Sequence, residues 1–91
     1  MNTEKEIKAS VIKAGQLVGT KWFSWKRMLG DKVSVEFIDK KNCVYTSQPH
    51  IYPMTYNIAG GELYISNIMG AFELRGDVLY NNDLPVFEKA A

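Results

Sequence analysis

From Met54 to Lys89 the chain alternates apolar and polar residues in short runs, each ended by a break: Ala59-Gly60-Gly61, Asn67-Ile68-Met69-Gly70, Arg75-Gly76-Asp77, Asn81-Asn82-Asp83-Leu84-Pro85. An alternating run places its apolar side chains on one face of an extended strand, and glycine supplies the positive φ that a tight hairpin needs. Strand and turn following one another without a long crossover make an antiparallel meander.

The rhythm reaches back to Gly19. Expected strands are Gly19–Lys26, Lys32–Asp39, Cys43–Ser47, Met54–Ala59, Glu62–Ser66, Ala71–Arg75, Val78–Tyr80 and, opened by Leu84-Pro85, Val86–Lys89. Asp39-Lys40-Lys41-Asn42 reads as a turn, and residues 48 to 53 read as an interruption, because neither Pro49 nor Pro53 can donate to a ladder. Eight strands in up-and-down order are expected to close into a barrel, since closure removes the edges an open meander would expose. Trp22, Val35, Phe37, Tyr56, Ile58, Leu63, Ile65, Phe72, Leu74, Leu79 and Phe87 are the expected interior residues; an eight-stranded barrel is just wide enough for side chains or one small ligand.

Ahead of the meander, Ile7, Val11, Ile12 and Ala14 recur at helical spacing, with Thr3 as N-cap, Glu6 at the capping-box position and Gly15 as terminator. The spacing predicts a helix over residues 3–15, too short to stand alone in water and placed to cover one barrel end. The expectation is one mainly β domain over residues 1–91: an N-terminal helix, then a small antiparallel up-and-down eight-stranded barrel over 19–89.

Eleven basic and ten acidic side chains leave a net charge of +1, which supplies no strong field for a nucleic-acid backbone or an anionic membrane. A lone Cys43 closes no intramolecular disulfide, and a lone His50 anchors no metal site by itself; neither a metal nor a cofactor is expected. No run approaches the roughly 20 apolar residues of a membrane-spanning helix, and the first residues are too polar for a signal peptide. As written the chain reads as cytoplasmic; one whose export signal had been replaced by Met1 would read the same.

An up-and-down barrel sends alternate connections to opposite ends. One end collects the tight turns at 39–42, 59–61 and 75–77. The other collects 28–31, 48–53, 67–70 and 81–85, carrying Met28, Leu29, Ile51, Tyr52, Ile68, Met69 and Leu84. Loops that need only stay soluble are seldom so apolar. Either these side chains form a contact surface or they fold down as the lid of a small core.

Gly19-Thr20-Lys21-Trp22 on the first strand, followed by eight meandering strands with a mouth opposite the N-terminal element, resembles the calycins, the lipocalin-like and avidin-like barrels. The resemblance implies that Gly19 and Trp22 lie at the closed end with the tryptophan across the floor, one residue further apart than usual. The strands are about half the length of those in a full lipocalin, and the C-terminal helix and disulfide are missing, so transport of a large ligand is not expected.

Other signals have simpler readings. Arg75-Gly76-Asp77 matches an adhesion tripeptide but also suits a turn. His50 could serve a hydrolase or isomerase, which needs a partner carboxylate or nucleophile. Trp25-Lys26-Arg27 with Tyr45 and Tyr52 could stack single-stranded nucleic acid on an OB-like or SH3-like barrel, although nucleic acid is disfavoured by the charge balance. The expected function is non-enzymatic binding, through the apolar end, of a protein partner, possibly a second copy, or of a small apolar ligand. Trp25, Met28, His50, Ile51, Tyr52, Ile68 and Met69 are the expected contact residues.

Overall fold

The structure is a computed structural model and describes residues 9–28 and 30–90. Eight antiparallel strands form one closed barrel in sequential order. They are β1 (Lys21–Ser24), β2 (Val33–Phe37), β3 (Asn42–Ser47), β4 (His50–Ala59), β5 (Glu62–Ile65), β6 (Phe72–Arg75), β7 (Val78–Asn81) and β8 (Leu84–Lys89). β8 returns to β1 through Trp22 opposite Lys89 and Ser24 opposite Phe87, which closes the wall.

Alternation fills the interior. Trp22, Val35, Phe37, Leu63, Ile65, Phe72, Leu79 and Phe87 are buried in a single apolar cluster. Tyr56 and Leu74 join it, while Ile58 is half-buried and packs on its margin. Phe37 meets Tyr56 edge-on at 4.8 Å between ring centroids, the perpendicular arrangement that aromatic quadrupoles favour. The tight turns fall where glycine and asparagine put them. Gly60 and Gly61 have φ of 60° and 80°, Gly76 has 63°, and Asn82 and Asp83, at 55° and 65°, form the two-residue turn between β7 and β8.

Among the described residues the predicted N-terminal helix is not present. Residues 3–8 lie outside the described part, and residues 9–15 are extended and then turned. Ser10 donates to the Leu74 carbonyl at 2.7 Å and Ile12 to that of Gly61 at 2.9 Å. Those bonds bridge β6 and the β4–β5 turn, flanking a seam where β5 and β6 share one paired position, Leu63 with Phe72. Backbone groups left open at the seam thus hold this segment extended, overriding a pattern that has Ile12 buried in either conformation. Gly61 permits the close approach: a Cβ there would lie 3.0 Å from Val11 Cγ1. The segment covers the end at which the helix was expected.

The other correction concerns residues 48 to 53. Only Gln48 and Pro49 form the turn, with a cis peptide between them. His50 to Pro53 belong to β4, whose register with β3 runs unbroken from Asn42 opposite Thr55 to Ser47 opposite His50. The first strand ends early as well: Trp25–Arg27 forms a 3-10 turn rather than the end of β1.

Candidate functional site

β4 is twice as long as it needs to be for the barrel. Residues Tyr56 to Ala59 pair with β5, whereas β3 is accompanied by β2 along its whole length, with Val33 opposite Ser47. The upper part of the β3–β4 hairpin therefore has a neighbour on its β2 side, and on the other side, among the described residues, ends in open backbone from His50 to Met54.

The direction of each backbone group follows from two fixed points. Tyr56 donates its N–H to the Lys41 carbonyl at 2.9 Å, towards β3, and Thr55 accepts from the Ser66 N–H at 2.9 Å, away from β3. Thr55 also donates to Ser66 Oγ at 3.1 Å. Antiparallel strands alternate these directions residue by residue. His50, Tyr52 and Met54 thus face β3 with their backbone groups, and Ile51 and Pro53 face outward. Pro53 occupies a position where no N–H is needed, the one way proline is accommodated in a strand.

Side chains alternate too. Val35, Tyr45 and Tyr52 form one row across β2, β3 and β4, and Val33, Ser47 and His50 the next. These rows prolong the interior face beyond the mouth. Tyr45 and Tyr52 stack at 6.1 Å with an interplanar angle of 28°, and His50 lies 6.1 Å from the Tyr52 ring. Ile51 is on the opposite face and 65% exposed. From Asn42 to Gly61 no residue carries a formal charge apart from protonatable His50. Beside the free edge lies an open cleft of about 360 Å³, lined by Thr55, Tyr56, Tyr64, Ser66 and Ile68 among others.

The remaining expected contact residues divide. Met69 is 91% exposed and Met28 77%, whereas Ile68 is half-buried and packs against the core. Trp25 is half-buried, with the Lys26 ammonium 5.5 Å above its ring. Leu84, outside the expected set, is also strongly exposed; it sits opposite Asn81, whose amide donates to the Met69 carbonyl at 3.0 Å. Leu29 lies outside the described residues. The free edge of β4 was missed in the sequence, though a proline at an alternate position of a run free of charge is its signature.

Other candidate chemistries have less around them. The His50 ring makes no hydrogen bond or ion pair among the described residues, and no group of three or more His, Cys, Asp or Glu stands together there. Burial pushes the Cys43 thiol up to about 11. Arg27 is engaged by Asp31 at 2.6 Å and by Glu88 at 3.7 Å, and lies over the Phe23 ring. Arg75 of the adhesion-like tripeptide is held by Glu73 at 2.9 Å and Asp83 at 2.7 Å. Among the described residues no helix is long and apolar enough to cross a membrane.

Trp22 is buried near the covered end, its Nε1 donating to Thr20 Oγ1 at 2.8 Å, and Gly19 donates to the Phe37 carbonyl at 2.8 Å. An eight-stranded up-and-down barrel is the architecture that the lipocalin resemblance implies. In comparisons with known proteins, no family model, curated sequence or solved structure matches the chain.

Proposed function

We propose that the protein is a non-enzymatic binding barrel of lipocalin-like type that contacts a protein partner through the end opposite its N-terminal segment. The observation that carries this reading is the β3–β4 hairpin, which stands beyond β5 with apolar, aromatic and uncharged polar side chains exposed. Depletion of charge with enrichment of tyrosine and methionine distinguishes the core of protein contacts from ordinary surface. Met28, Met69 and Leu84 extend the apolar character around the mouth, while the interior, occupied by aromatic and aliphatic side chains, favours surface contact over enclosure of a ligand.

The test is binding of the apolar dye 1-anilinonaphthalene-8-sulfonate to the full chain. Met28→Glu and Met69→Glu, both at exposed positions, are expected to lower the fluorescence enhancement while leaving stability within about 0.5 kcal/mol of the parent. Dye fluorescence that is absent, or unchanged by both substitutions, overturns the reading of this end as an apolar contact surface.

A further inference from the structure

We propose that the partner at the free edge of β4 is a second copy of this chain, paired antiparallel with the same edge about a two-fold axis. The inference rests on the contact-surface reading above and names its occupant. Among the described strands, His50 to Met54 is the longest run with nothing on one side; the β5–β6 seam is flanked by Ser10 and Ile12, and β8 by the Trp25–Arg27 turn, whose Lys26 N–H donates to Glu88 Oε1 at 2.9 Å. A pairing through one edge per molecule stops at two copies and propagates no further.

The outward groups suit a symmetric pair. Ile51 offers one N–H and one carbonyl, and Pro53 offers a carbonyl and no N–H. Antiparallel registers centred on Ile51 or on Tyr52 each give two reciprocal bonds, donated by the Ile51 N–H of either copy. Pro53 supplies no donor to lengthen the ladder, so the edge is limited to a short match instead of a template for indefinite addition. The absence of formal charge from Asn42 to Gly61 lets two identical edges approach without like-charge repulsion. In both registers the ring of Tyr52, 43% exposed, faces His50 or Tyr52 of the second copy, extending the row it already forms with Tyr45.

Light scattering on the full chain is expected to give a mass rising with concentration towards twice 10.3 kDa. Ile51→Pro removes the sole outward donor and Ile51→Lys places two cations across the axis; both are expected to leave a folded monomer. Mixing Ile51→Lys with Ile51→Glu is expected to restore the dimer, because position 51 lies opposite or diagonal to itself in either register. If Ile51→Pro fails to fold, the charged pair carries the test. Hydrogen exchange at the Ile51 amide is expected to slow with rising concentration while that of Tyr52, bonded to β3, stays constant. A parent chain monomeric at every soluble concentration, a dimer indifferent to Ile51→Pro, or charged variants that do not combine overturns the proposal. Monomeric mass with a dye signal sensitive to Met28 and Met69 removes the second copy and leaves the contact surface; a dimer without that signal does the reverse.

Discussion

The Asp39 carboxylate shows how one side chain shapes a turn. Its Oδ1 accepts from the Lys41 and Asn42 N–H groups, each at 2.8 Å, while the Asn42 amide reaches both carboxylate oxygens. The Asp39 carbonyl meanwhile accepts from the buried Tyr56 ring's hydroxyl, tying the turn to the core. The Asn42 side chain first, then the two backbone donors, holds the carboxyl below its ordinary value of 3.8. A depressed folded-state pKa contributes stability that is present above the unfolded value and lost as pH falls through the folded one. Acid should therefore weaken the parent below about pH 4, and Asp39→Asn should lose that part of the pH dependence. Melting temperatures of both chains between pH 6 and pH 2 check this; identical slopes refute it.

Among the elements, the N-terminal segment has most to say about what a sequence displays. Ile12 is 2% exposed, and Leu17, on the following turn, is 3%. Truncating Ile12 to alanine should cost about 2–5 kcal/mol, the range for deleting a buried branched side chain, whereas Val11→Ala, at an exposed position, should lie within about 0.5 kcal/mol. Urea unfolding of both variants separates them. Burial of Ile12 was legible; its conformation was not, because spacing within the segment carries no trace of the open backbone at Leu74 and Gly61 that bonds it. The same division holds for β4. Gly60-Gly61, Gly76 and Asn82-Asp83 announced the turns, and alternation announced the interior, since these depend on neighbouring residues alone. Pro53 reads as a break from the sequence because a missing donor is harmless only where the N–H would face no neighbouring strand, and that depends on where pairing with β5 begins, which residues 48–53 do not display.

At the scale of the whole molecule the barrel is unevenly sewn. β2, β3 and β4 hold one another through five- and six-residue registers, while β5 and β6 meet at Leu63 and Phe72. Proteins open locally where few contacts oppose it, in units that share a free energy. The amides of Ser10 and Ile12, bonded across to Leu74 and Gly61, close the lower part of that seam, so their exchange should follow the same opening as the amides of β6. Ile12→Ala should then speed exchange of Ser10, Ile12 and β6 by a common factor. The β3 amides should retain their higher protection, because their opening requires separation from both neighbours. Residue-resolved hydrogen exchange on parent and variant decides the matter: acceleration spread evenly over β3 and β6 would show a barrel that opens only as a unit. Acceleration confined to the seam would place the least stable line of the molecule on the far side of β5 from the free edge of β4, so that the proposed contact surface would stand on the best-paired strands and be engaged without opening the wall.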